Sequence, residues 1–377
     1  MELQMLKNAF ALILLNLFAV ISVTANTRFV DSVFSEIEKE TVTYRSAQYY
    51  SGDSVVELKM DIYQPKNDEM DNRPVVIVLY GGSFMNGNKD DVAFSVPVSD
   101  YLAKKGYVSV AIDYRVGLNM ASMDPAEIIK AAYRGIQDTK AAVRFIRANA
   151  DAFKINTDEI FLCGYSAGAI ISLNQSLITE EKFRNIIDDT AGLGPLETGD
   201  NLSFSSSVKG VAGFAGAVID TTWITVEAAI PMICIHGNED VIVPYDSGYV
   251  FSTAGLPYVF GSAVINSVLK RLGLNSKLIT YPGEGHDFVH KLSGARENSI
   301  DSVALFFSSL FTSGVEKQHF VDRTRRQTGV RQALISSNIY DLTGRKMGNS
   351  QRVSRSVYIR YNRFKNKTDY KKILFAR

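Results

Sequence analysis

The chain has 377 residues, 46% of them hydrophobic, and a formal net charge of +1. It is too long for a minimal module and suits one large globular domain with appendages. From Gly314 onward there are 16 Lys and Arg against 4 Asp and Glu, so the rest of the chain is acidic; a basic excess confined to a tail argues against a nucleic-acid-binding body.

Lys7 precedes the apolar run AFALILLNLFAV, and Ile21-Ser22-Val23-Thr24-Ala25 leads into a polar stretch. A basic lead, an apolar run and a Val-x-Ala close describe a secretory signal cleaved after Ala25. The alternative is a membrane anchor, but Asn16 interrupts the run, which falls short of the roughly 20 residues of a spanning helix. No cysteine follows the cleavage point to carry a lipid. The expectation is an exported protein, periplasmic, surface-bound or secreted, with no stable membrane span.

From residue 41 strand-like runs follow in order: TVTYRSAQYY, VELKMDIY, VVIVLY, VSVAIDY, IFLCGY, VKGVAGFAGAV, PMICIHG and SKLITYP. Several are continuously apolar and β-branched, the pattern of strands buried on both faces of a parallel sheet. Helices are predicted between them. One opens at Asp124-Pro125, a capping residue with proline at the first helical position. Its apolar residues Ile128, Ile129, Ala132, Ile136, Val143 and Ile146 recur mostly at intervals of three and four. Others follow Ser166 and occupy about 261–272 and 295–312. The alternation predicts an α/β fold, a mostly parallel central sheet with helices on both faces. Residues 179–207 interrupt it with a polar, turn-rich stretch that reads as a lid over a site or as a plain surface insertion. Cys163 and Cys234 sit inside apolar runs, where a free cysteine behaves as a small hydrophobe; a bridge between neighbouring strands is the alternative.

The chemistry centres on Gly164-Tyr165-Ser166-Ala167-Gly168. Among 27 glycines such a motif alone is weak, but here a strand, Ile160 to Cys163, precedes it and a helix start follows. In a nucleophile elbow the serine sits on a sharp turn that aims its Oγ out of the sheet, and the glycines let backbones pass closely. A serine needs a base. Of the four histidines, His286 lies in a Gly-flanked loop after the strand SKLITY and fits best. His236 follows PMICI, His290 opens a helix as a solvated or packed residue, and His319 belongs to the tail. Asp240, past PMICIHG, is the expected carboxylate; Asp220 is its rival and Glu239 the lesser neighbour. The order Ser166, Asp240, His286 is the one α/β-hydrolases use. Oxyanion donors are expected from Ala167 and from the loop after VVIVLY, at the amides of Gly82 and Ser83. Phe84 and Trp223 are candidate pocket walls, though aromatics at strand ends are often simply packed.

YGGSF, VAIDYR, DTKAAVRFIRANADAF, GYSAG, HGNEDVIVP and GEGHDF together resemble an α/β-hydrolase of the carboxylesterase group, related to hormone-sensitive lipase and to bacterial feruloyl and acetyl-xylan esterases. The resemblance covers about 41–312. It departs in one place: the family usually has His ahead of the paired glycines, where this chain has Tyr80, so the loop's support must differ. In the tail, NIYDLTGRKM, SVYIRYN and YKKILFAR resemble the short strands of the sorting domain of type IX secretion. The usual Pro-Asn-Pro opening is absent, and Ser356 stands where Gly often precedes such a strand. The alternative is a basic extension that binds an acidic surface.

The expected organisation is a signal peptide over 1–25, a catalytic domain over 26–313 and a basic, small β-type sorting unit over 314–377. The expected activity is that of a serine carboxylic-ester hydrolase working through an acyl-enzyme on small-molecule or saccharide esters, acyl or feruloyl. No metal or cofactor is implied. One rival is a serine peptidase of the prolyl oligopeptidase type, but those often carry Gly where this chain has Ala169, and usually an added propeller. The other is a non-catalytic hydrolase fold used for binding, in which loss of a triad member is expected.

Overall fold

The computed structural model describes residues 28–52, 54–118, 124–187 and 192–311, all within one compact unit. The expected signal peptide and sorting unit lie outside the described residues. The strand β3 (Arg73–Leu79) is buried at every position. Its side chains alternate between two cores, Val75, Ile77 and Leu79 entering one, Val76 and Val78 the other. A strand with no wet face belongs in the middle of a sheet covered on both sides.

That sheet has eight strands. Beside β3 lie β1 (Ile37–Gln48), β2 (Val55–Pro65), β4 (Val108–Ile112), β5 (Ile155–Tyr165), β6 (Gly210–Phe214), β8 (Met232–Gly237) and β11 (Ser276–Tyr281). Their order is β1-β2-β4-β3-β5-β6-β8-β11. The β1–β2 and β2–β4 pairs are antiparallel, and every pair from β4 to β11 is parallel. Two registers matter for function. β3 and β5 end together, Leu79 opposite Gly164, and β8 and β11 end together, Gly237 opposite Tyr281. The turns leaving each pair therefore start side by side at the carboxyl edge, where ligands meet α/β sheets.

Helices cover both faces. α1 (Ser95–Lys104), α6 (Phe288–Lys291) and α7 (Ala295–Phe311) contribute Val98, Leu102, Phe288, Val303 and Phe307 to one core. α2 (Pro125–Ala148), α3 (Ala167–Asn174) and α5 (Ser262–Arg271) contribute Ala132, Ile136, Ile171 and Ile265 to the other. The Asp124 carboxylate caps α2 by accepting from the Ala126 amide at 2.9 Å, with Pro125 at the first position as expected. α1 carries no capping side chain of its own. Instead the Asp91 carboxylate, three residues before its N-cap, accepts from the amides of Ala93, Phe94 and Ser95.

The stretch 208–218 is not one strand. β6 ends at Phe214, and β7 (Ala217–Val218) joins β9 (Ser247–Tyr249) and β10 (Tyr258–Gly261) in a separate three-stranded sheet. The break falls at Ala215, whose φ is 49°, where the chain turns over α3. Cys163 and Cys234 are separated by β6, enter opposite cores and are both free, so the alternative of a bridge is excluded. Within the polar insertion, α4 (Glu180–Arg184) is capped by Thr179. The residues after it are tied to α2: Gln137 donates to the carbonyls of Leu193 and Pro195, and the Arg144 guanidinium binds Glu197, Thr198 and Asp200. At Ser206 the insertion meets Gln175, the C-cap of α3, at the opposite end of that helix from Ser166.

Candidate active site

Ser166 lies between β5 and α3 with φ 54° and ψ −117°. A non-glycine residue in this region costs of order 1–3 kcal/mol and persists only where its surroundings enforce it. Here the Ser166 amide donates to the Phe214 carbonyl at 2.8 Å. A Cβ at Gly164 would lie 2.2 Å from the Gly168 carbonyl oxygen, and one at Gly168 would lie 2.4 Å from that of Tyr80. The elbow glycines are thus required by backbone contact, with no room for a methyl group.

The loop after β3 passes beside the serine: a Cβ built on Gly81 would sit 3.2 Å from the Ser166 Cβ. Ser83 and Phe84 carry φ of 55° and 62°, so strain gathers on both turns of the site. Among the described residues, the amides of Gly82, Ser83 and Ala167 donate no hydrogen bond. The Phe84 carbonyl accepts from the Gly117 amide at 2.8 Å, and its ring is 3% exposed. Trp223, at 4% exposure, is packed in the core.

Tyr80 and Tyr114 explain how this loop is held. Their rings stack with centroids 4.3 Å apart. The Tyr80 hydroxyl donates to the Tyr114 carbonyl at 3.1 Å, and the Tyr114 hydroxyl donates to the Tyr80 carbonyl at 2.9 Å. This reciprocal pair couples the turn after β3 to the turn after β4, in place of the histidine that the sequence pattern lacks.

From the other strand pair come the remaining groups. His286 Nε2 is 2.8 Å from Ser166 Oγ, and His286 Nδ1 is 2.7 Å from Asp240 Oδ2. Asp240 Oδ1 accepts from the amides of Ile242 and Val243 at 2.8 and 2.9 Å. Burial would raise the Asp240 pKa, but hydrogen bonds from His236 and His286 outweigh it and hold the carboxyl well below its usual range. Gly237 lets the two loops meet, since a Cβ there would lie 2.2 Å from the Glu284 carbonyl oxygen. Asp220, the rival carboxylate, caps Thr221–Trp223 by accepting from the Thr222 amide at 2.8 Å. Glu239 is exposed. Burial pushes the Cys234 thiol up to about 12 and the Cys163 thiol up as well, so neither is a ready thiolate.

Three contributors escape a reading of the sequence. Tyr165 points its hydroxyl at the His286 carbonyl, 3.3 Å away, and at Asp287 Oδ1, 3.2 Å away, tying the elbow to the histidine loop. Tyr114 is the second. The third is His236, fully buried, with Nε2 3.0 Å from Asp240 Oδ2. A pattern of tyrosine and histidine beside strand ends was visible for all three, but not the partner each would find. His290, by contrast, meets the Tyr165 ring edge-on at 4.9 Å. A cavity of about 490 Å³ lined by Gln175, Glu197 and Phe204 opens at the far end of α3 from the serine.

A parallel sheet whose central strand ends in a strained serine, with a histidine and a carboxylate on turns after later strands, defines the α/β-hydrolase class. Residues 60–216 match the family model described as BD-FAE, from β2 to the turn after β6. Esterase-5A of Drosophila persimilis is 29% identical over 125 residues, 33% of this chain and 22% of that protein. Esterase LipC of Mycobacterium tuberculosis is 24% identical over 290 residues, 70% of this chain and 64% of that protein. The chain thus spans a small part of the length of the first and less than two thirds of the second. Among solved structures, a truncated carbohydrate esterase from gut microbiota superposes with a TM-score of 0.51 at 21% identity, over 74% of this chain and 98% of that one; this likeness shows the fold. The described residues adopt the α/β-hydrolase fold.

Proposed function

We propose that the protein hydrolyses carboxylic esters through an acyl-enzyme on Ser166. The observation that carries this reading is the unbroken hydrogen-bonded relay from Ser166 through His286 to Asp240. With Nδ1–H donated to the Asp240 carboxylate, the His286 Nε2 lone pair faces the serine hydroxyl and takes its proton as Oγ attacks the ester carbonyl. The carbonyl oxygen gains negative charge beside the free amides of Gly82, Ser83 and Ala167, and the first turn of α3 adds its dipole. The intermediate collapses, His286 protonates the departing alcohol, and the acyl group stays on Ser166. Water deprotonated by His286 then releases the acid and restores the serine.

The peptidase alternative gains no support from the site, and a binding role leaves the complete relay without a purpose. Saccharide esters are the proposed substrate class, on the strength of the carbohydrate esterase among the structural neighbours. Export through the leader cleaved after Ala25, followed by sorting through 314–377, is the proposed route to such substrates.

The test compares the chain from Asn26 with its Ser166→Ala variant on 4-nitrophenyl acetate, butyrate and octanoate. The parent should turn over at least the shortest ester and the variant none. A folded parent inert toward these esters, acetylated xylan and feruloylated sugars, or a variant that keeps its activity, overturns the proposal.

A further inference from the structure

Asp240 is shared by two histidines. His236 Nε2 lies 3.0 Å from Asp240 Oδ2 and 3.0 Å from the Val243 carbonyl oxygen. Both are acceptors, so Nε2 must carry a hydrogen. His236 Nδ1 lies 2.7 Å from the Ser262 hydroxyl at the first position of α5. One carboxylate balances one cation, and the proposed reaction places that cation on His286. In the neutral tautomer with the hydrogen on Nε2, Nδ1 accepts from the Ser262 hydroxyl. Each Asp240 oxygen then receives two hydrogen bonds, two backbone amides on Oδ1 and two imidazole N–H groups on Oδ2.

We infer that His236 is a positioning residue of the relay, and that its Nε2–H orients the Asp240 carboxylate and tempers that carboxylate's hold on His286. This rests on the esterase reading for its effect on turnover, though not for its electrostatics. Losing a donor concentrates negative charge on Oδ2, which favours the imidazolium form of His286. Other ring and charged groups also face the pair. His286 faces the Tyr165 ring at 5.4 Å, with Asp287 next in the chain and His290 across that ring, itself influenced by Asp91 and Arg296. His236 faces Tyr245 edge-on at 5.7 Å, and Cys234 lies two residues before it in β8.

Two variants and one spectrum test this. His236→Leu should lower kcat by about ten- to a hundred-fold, the range for a hydrogen bond to a charged group, with little change in KM. The acid limb of its pH profile should move to higher pH. His236→Gln, whose side-chain amide can occupy the place of Nε2–H, should recover most of kcat and return the limb. In 15N-histidine-labelled protein the His286 titration midpoint should rise in His236→Leu and return in His236→Gln, a readout independent of any substrate. A residue that merely fills space would leave limb and midpoint unmoved, and a folded His236→Leu with an unchanged midpoint overturns the inference. Should that variant not fold, the unaltered protein still decides: its His236 must be protonated on Nε2 alone and its signals must follow the His286 titration. A Nδ1-protonated or unresponsive His236 refutes the inference. If the midpoint shifts while the parent hydrolyses no ester, the coupling stands and the esterase reading falls.

Discussion

At the scale of single residues, the choice between Asp240 and Asp220 shows how geometry separates two carboxylates that sequence places alike. Both follow a strand, and both accept from backbone amides two residues on. Asp240 also receives two imidazoles, whereas Asp220 is engaged as the cap of one 3-10 turn. Asp240→Asn puts an amide where only an acceptor fits, driving His286 toward the wrong tautomer, and kcat/KM should fall by about 10³–10⁴-fold. Asp220→Asn should keep activity near that of the parent, since Asn caps about as well as Asp. Equal losses measured side by side would discredit the assignment. Ser166 was readable from the apolar run Ile160 to Cys163 before it and Asp240 from the apolar strand PMICIHG, while His286 was singled out by its Gly-flanked loop after SKLITY. His236 was not. It looks like the last residue of such a strand, and nothing in its spacing tells that its ring turns back onto a carboxylate four residues later.

At the scale of elements, the site depends on turns that leave neighbouring strands together. Leu79 opposite Gly164 and Gly237 opposite Tyr281 set two pairs of turns side by side, and the Tyr80–Tyr114 pair adds the turn after β4 to the first. Tyr114→Phe keeps the stacked ring and removes the hydroxyl that holds the Tyr80 carbonyl. The loop carrying Gly82 and Ser83 should then loosen without losing its donors. Complete loss of an oxyanion donor costs about 10²–10³ in turnover, so a displaced one should cost about tenfold in kcat with KM little changed. An unaltered kcat with a lowered melting temperature would mean that the pair supports the fold alone. Long buried strands were readable from their apolar runs. The division of 208–218 between two sheets was not, because both halves are apolar and the turn at Ala215 uses a residue with no turn signature. β9 and β10 are too short for alternation to register, and α1 hides behind Pro97 and a cap supplied from Asp91.

At the scale of the whole molecule, the strand order is the feature furthest from the sequence. Alternation implies a covered parallel sheet but does not say that β4 lies outside β3, or that the antiparallel pair β1–β2 closes one edge. What the sequence does display at this scale is charge, with 16 Lys and Arg against 4 Asp and Glu from Gly314 onward. The described residues already contain both covers of the sheet and every group of the relay. Their two ends also meet: the Phe29 ring packs edge-on against Tyr107 at 5.2 Å and against Phe311 at 5.4 Å. On the expected division at 313, turnover does not draw on the basic segment. Deleting residues 315–377 should therefore leave kcat/KM for 4-nitrophenyl acetate within about twofold of the parent and the melting transition nearly unchanged, as expected for independent sites. If the segment is an address, the same deletion should change where the protein accumulates in an exporting cell. If it is an extension that binds an acidic surface, location should instead follow salt, because such attraction is screened over roughly 10 Å at 0.1 M. A shortened chain that is inactive or unfolded would place part of the tail within the catalytic fold and refute the division at 313.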